Sequence, residues 1–220
     1  MKSTLLLLPI FFLLACNNNK QQLLADAPPT FKDVKDYAAF KDSVTVNKKQ
    51  LATKPYAELS EYFFHLVNDD IYSYWQGTPW TFEGMTRTPH DGTIACGYFV
   101  TNTLADLGFK INNVKLAQCV SGDMIKALCV DIHSFNGIKN FEAYMAKQPV
   151  NSVSIVGLDY HTGYIVKDAT GSYFLHSNYI GKVGVVKELI GESRALANNK
   201  FFMIGSLTGN NKRLQQWAKE

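Results

Sequence analysis

The chain has 220 residues, of which 46% are hydrophobic and 13% aromatic. That content suits a folded globule with one sizeable core and excludes a disordered exported tail. The formal net charge is +3 with no lysine–arginine cluster, so nucleic acid is not an expected partner.

Met1-Lys2 gives a short positive start, and Leu5 to Leu14 form an apolar run. Such a run is too short to span a bilayer as a stable helix, but it suits the apolar part of an export signal. Leu13-Leu14-Ala15-Cys16, followed by the polar stretch Asn17 to Gln22, resembles the lipobox of bacterial lipoproteins. The resemblance implies cleavage after Ala15 and lipid on Cys16. The expected location is then the cell envelope, anchored to the outer membrane and facing the periplasm. An ordinary signal peptide cut at the same place is the alternative reading of these residues. Several acyl chains on one cysteine would anchor stably where a single chain binds reversibly. The organisation expected is a signal peptide over 1–15, a tether over 16–30 ending near Pro28-Pro29, and one domain over 31–220.

Residues 31–50 are lysine-rich with scattered aromatics and give no firm pattern. From Pro55 the apolar positions Leu59, Phe63, Leu66, Val67 and Ile71 recur at helical spacing, and Gly77 and Pro79 end the element. Residues 76–93 hold three glycines and two prolines and read as a functional loop. Phe99, Val100, Leu104 and Leu107 predict a helix over Cys96–Leu107, stopped by Gly108, with Thr93 as a plausible N-cap. Two short helical patterns follow, Asp123–Cys129 and Lys139–Lys147. After Pro149 come five strand patterns: Val153–Leu158, Thr162–Val166, Ser172–Ser177, Val183–Leu189 and Phe201–Leu207. Asn211 to Lys219 suits a terminal helix. Helices first and an antiparallel sheet of about five strands second predict an α+β fold.

With Cys16 assigned to the anchor, Cys96, Cys119 and Cys129 remain, and an odd number leaves at least one thiol free. Cys119 and Cys129 can be a disulfide or two reduced, buried side chains. No close Cys or His pair has ligand spacing, so neither a metal nor an organic cofactor is expected. Cys96 falls in the first turn of its helix. There the backbone dipole and the unpaired N–H groups favour the thiolate and can hold an oxyanion. A histidine from the later strands would complete a nucleophile–base pair. The bland reading of Cys96 is a small buried hydrophobe.

Tyr74-Trp75-Gln76-Gly77, Thr88-Pro89, Gly92, Ala95-Cys96-Gly97-Tyr98-Phe99-Val100 and Leu107-Gly108-Phe109 together resemble the NlpC family of papain-like cell-wall cysteine peptidases. His161-Thr162-Gly163-Tyr164-Ile165-Val166 resembles the family's histidine-bearing strand, and His176 falls on the next strand. The resemblance spans about residues 59–207, with 110–150 as an inserted helical segment. It implies Cys96 as nucleophile, His161 as base, and His176 as the group that orients the imidazole and favours its protonated form. It also implies substrate contacts from Tyr74, Trp75 and Gly97, and an amide in peptidoglycan stem peptides or a related peptide as substrate. Many members carry Asp and Ser where this chain has Ala95 and Gly97, which separates the chemistry from the substrate. His90, six residues before Cys96, competes for the role of base. His65 and His133 read as surface or structural, and Trp75 and Trp80 as packing residues first. The rival readings are a CHAP-like amidase or acyltransferase on the same fold, and a non-catalytic envelope-binding module.

Overall fold

The computed structural model describes residues 32–220. The apolar run, Cys16 and the tether lie outside the described residues. Helix α1 (Tyr37–Leu51) precedes α2 (Tyr56–His65), whose axis runs on through a wider π-helical stretch, Leu66–Ile71, into α3 (Tyr72–Trp75). Then come α4 (Cys96–Asp106), α5 (Asn113–Gln118), α6 (Ser121–Leu128), β1 (Val130–Asn136) and α7 (Ile138–Ala146). The rest of the sheet is β2 (Ser152–Leu158), β3 (Thr162–Lys167), β4 (Ser172–Asn178), β5 (Gly184–Leu189) and β6 (Phe201–Ser206). Short α8 (Arg194–Ala197) precedes β6, and α9 (Asn211–Lys219) follows it.

The sheet has six strands in the order β1-β6-β2-β3-β4-β5, and every neighbouring pair is antiparallel. The α+β class follows the sequence pattern, with one strand more than expected. That strand, β1, comes from the 110–150 segment, so the segment is not purely helical. All of its residues but Phe135 are exposed, and a register shift falls between Val130 and His133.

The helical side of the core is set by periodicity. Leu59, Phe63, Leu66, Val67, Ile71, Tyr74 and Trp75 all turn inward, and Phe63 and Trp75 are fully buried. They meet α4, where Phe99, Val100 and Leu104 face the sheet. Gly108 ends α4 at φ +88°, a left-handed position that glycine takes without strain, and Phe109 N–H reaches back to the Leu104 carbonyl (3.0 Å). Two polar devices fasten α4. The Tyr164 hydroxyl on β3 donates to the Val100 carbonyl (2.8 Å) and lies 2.8 Å from Thr103 Oγ1. At the other end, Asp106 is buried but accepts from the Tyr37 hydroxyl (3.0 Å) and from Arg87 (2.5 Å), tying α1 and the 76–95 loop to the helix.

Candidate active site

Cys96 is the first residue of α4. The chain leading to it is held on three sides. Ile94 N–H donates to Pro79 O (2.9 Å), Ala95 N–H to Gly84 O (2.7 Å), and the Ser177 hydroxyl of β4 donates to Ile94 O (2.7 Å). The residue before the helix is therefore Ala95, with no side-chain cap. Thr93 instead pairs its hydroxyl with that of Thr81 (2.8 Å). Without a capping side chain, the first N–H groups of α4 stay open beside the sulfur.

His161 closes the short turn between β2 and β3, where Leu158 N–H donates to its carbonyl (2.8 Å). The turn is pinned from outside. Asp159 N–H donates to Asn199 Oδ1 (3.1 Å), and the Asp159 carboxylate accepts from Lys200 N–H (2.8 Å). The ring of His161 is fenced by Phe174 and Tyr179, with centroids at 5.8 and 5.0 Å. Its Nε2 lies 2.7 Å from His176 Nδ1, and His176 Nε2 lies 3.1 Å from Glu188 Oε1 on β5. His176 stacks on Phe174 at 3.9 Å and has no exposed surface.

Donor bookkeeping fixes the protons along this row. An ionised carboxylate only accepts, so His176 gives Glu188 its Nε2–H and keeps a lone pair on Nδ1. His161 then donates from Nε2, which leaves its Nδ1 unprotonated. Cys96 sulfur lies against the backbone N–H of Thr162, the residue after His161, and against those of Gly97 and Cys96 itself. Cys96 and His161 both line the two halves of one cleft. A thiol at a helix terminus and an imidazole with a bare Nδ1, lining one cleft, are the groups that an activated nucleophile with an oxyanion site would need.

The resting charges differ from the sequence expectation. Burial pushes the Cys96 thiol up, and this outweighs the lowering by the three N–H groups. Burial pushes His161 well below the usual imidazole range, and charge on His176 would push it lower still. His176, itself neutral, orients His161 by accepting its Nε2–H, and burial keeps the resting imidazole unprotonated. His176 is itself lowered by burial, against the pull of Glu188. Burial raises Glu188, but hydrogen bonds from His176 and Ser193 outweigh it and the net direction is down. The substrate-free pair is thus neutral thiol and neutral imidazole, with the one charge held at Glu188.

Among the residues singled out in the sequence, Cys96, His161, His176 and Gly97 come together. Tyr74 and Trp75 do not join them. Both are core residues: the Trp75 indole donates to the Tyr37 hydroxyl (2.9 Å), and Tyr74 packs on Tyr37 and Phe40. His90 is exposed, at φ +61°, and lines neither half of the cleft. His65 and His133 are partly exposed and pair locally with Asp69 and Asp131. Cys119 and Cys129 are free thiols, not a disulfide. Gly97 explains itself sterically: a Cβ there would sit 2.5 Å from the Ala117 carbonyl oxygen, so α5 excludes a serine at this position. Glu188 went unnoticed in the sequence. The signal that finds it is strand alternation, which places 184, 186 and 188 on one face of β5, with Val186 opposite His176.

Among the described residues, no group of three His, Cys, Asp or Glu is arranged to hold a metal, and no helix is long and apolar enough to cross a membrane. Comparison of the chain with protein-family models, with curated proteins and with solved structures finds no match.

Proposed function

We propose that the protein is a cysteine hydrolase of papain-like, NlpC-type fold. In this reading it is lipid-anchored through Cys16 to the bacterial cell envelope and cleaves an amide bond in peptidoglycan stem peptides or a related small peptide. The observation that carries it is that Cys96 and His161 line one cleft, with His161 backed by His176 and Glu188.

The chemistry follows from the row. Cys96 gives its proton to His161 Nδ1 as its sulfur adds to the substrate carbonyl carbon. The N–H groups of Cys96 and Gly97 hold the oxygen that gains charge. As the C–N bond breaks, the departing amine takes the proton from His161, and a thioester remains on Cys96. Water then gives a proton to His161 and adds to the thioester. The C–S bond breaks, the acid departs, and the thiol recovers its proton. The Glu188 charge, relayed through His176, stabilises each imidazolium as it forms.

A non-catalytic binding module is favoured by Ala95 and Gly97 and by the burial that raises the Cys96 thiol, since a thiol without thiolate character reacts slowly. A CHAP-like amidase or acyltransferase would use the same row on another amide or ester. Product analysis by mass spectrometry separates the three. Incubation of the purified protein with muropeptides and with peptide amides is expected to give one new cut, with the mass of one water added. An acyl-transfer product points to the acyltransferase, and no product from any substrate in either set would leave the binding module.

A further inference from the structure

We propose that one half of the cleft is a built subsite for an uncharged, apolar side chain flanking the scissile amide. Within the hydrolase reading this favours a related small peptide over a stem peptide, and it rests on that reading only for the bond that is cut. The cleft divides at Cys96 and His161. One half, of about 710 Å³, is walled by Trp80, Phe82, Met85, Tyr98, Tyr160 and Tyr179. The other, of about 530 Å³, carries Asp123, Lys126 and Asp159 among apolar neighbours such as Leu158, Phe201 and Met203. Both volumes lie in the range of about 300–1,000 Å³ that holds small-molecule ligands.

The apolar walls are exposed to an unusual degree: Phe82 is 79% accessible, Met85 63% and Tyr160 96%. Apolar groups gathered this way beside a nucleophile mark a recognition surface more than a packing accident. They also sit on backbone that is already fixed. Phe82 lies within a turn closed by Gly84 N–H on Thr81 O (3.2 Å) and by the Thr81–Thr93 hydroxyl pair. Met85 bridges Ile94, and the turn bearing Tyr160 is pinned through Asp159. Walls ordered before binding lose little freedom when a ligand arrives. Apart from the tyrosines and the catalytic pair, the only ionisable side chain in this half among the described residues is Glu83. A carboxylate-bearing side chain is therefore repelled here, and an aromatic or branched aliphatic one is received. The mixed half, with Asp123, Lys126 and Asp159 at hand, is left for the charged part of the peptide.

The test uses N-acetyl-tetra-alanine amide and its single-substitution set carrying Phe, Leu or Glu at each position. Binding to the Cys96→Ala protein is read by calorimetry, and hydrolysis of the same peptides by the unsubstituted protein is read by mass spectrometry. At one position Phe or Leu is expected to bind roughly tenfold or more tighter than Ala, the scale of discrimination in an apolar pocket, and Glu weaker than Ala. Phe82→Ala with Met85→Ala should collapse the Phe-to-Ala ratio to about one, whereas Val46→Ser, exposed on α1, should leave it intact. The subsite is overturned if no position prefers an apolar residue, or if the preference survives the double substitution. It is also overturned if sedimentation shows a dimer that the double substitution splits, since the patch is then an interface between copies. Preferential binding with no hydrolysis of these peptides or of muropeptides by the unsubstituted protein keeps the subsite and removes the hydrolase reading. Hydrolysis without preference does the reverse.

Discussion

His161 Nε2 lies 2.7 Å from His176 Nδ1, with Glu188 a further 3.1 Å beyond. Because the row ends in a carboxylate, its protons have one arrangement, and the nitrogen left bare is His161 Nδ1. Glu188→Gln keeps the shape and removes that polarity, since an amide can donate to His176 and invert the row. We predict a kcat loss of roughly 10–100-fold, smaller than that for losing a group in direct contact with the base, with KM little changed. Steady-state kinetics at neutral pH check this, with circular dichroism to confirm folding.

Alkylation of Cys96 by iodoacetamide should follow the thiolate. With the thiol raised by burial and His161 held neutral, the rate is expected to stay low through neutral pH and to climb only above the ordinary thiol value of 9.0. Quantifying the Cys96 peptide by mass spectrometry isolates it from Cys119. A plateau reached below neutrality would instead indicate a resting thiolate–imidazolium pair.

Acid should unfold the protein through the same row. His161 and His176 are held below their ordinary 6.5, so below that pH the unfolded chain binds protons that the folded chain refuses. Glu188, lowered on balance, adds stability that is lost as pH falls through its folded-state value. All three act in one direction, so stability rises with pH across the acidic range. Thermal melts from pH 7 downward should show a falling Tm, and His176→Gln should flatten the upper part of that decline.

Gly163 lies against the row without touching its chemistry. A Cβ there would stand 2.7 Å from both His176 Cβ and Phe174 Cε2, and 2.9 Å from the Leu175 carbonyl oxygen. Gly163→Ala must displace β4 or the His176 ring. The expected cost is about 1–3 kcal/mol of stability, as for overpacking generally. Activity is expected to fall at temperatures where the variant is still fully folded, which kinetics and denaturant melts together would show.

These outcomes also mark where the sequence is readable. Strands β2 to β6 and helix α4 announce themselves because apolar runs set off by turn residues, and the Gly108 stop, agree with the elements found. Strand β1 does not: Asp131, His133, Ser134 and Asn136 lie on an edge with almost no buried face, so no period survives in the residues. Trp75 was legible in a different way. Its helical spacing from Val67 and Ile71 places it in the core, and the family resemblance drew it toward the cleft. Glu188 could not be told from a solvated edge glutamate until β5 was paired with β4. Local sequence does not carry the burial of Cys96 and His161, which opposes the helix-terminus effect on the thiol.

The central claim is that Cys96 is the nucleophile of a hydrolase. It is tested most directly by the kcat/KM of the Cys96→Ala protein beside the unsubstituted one, on whichever muropeptide or peptide amide the latter cleaves. Nucleophile removal in a comparable machinery costs on the order of 10⁶ in kcat, so cleavage should fall below detection while the fold and peptide binding persist. Product formed by Cys96→Ala at the unsubstituted rate would contradict the account.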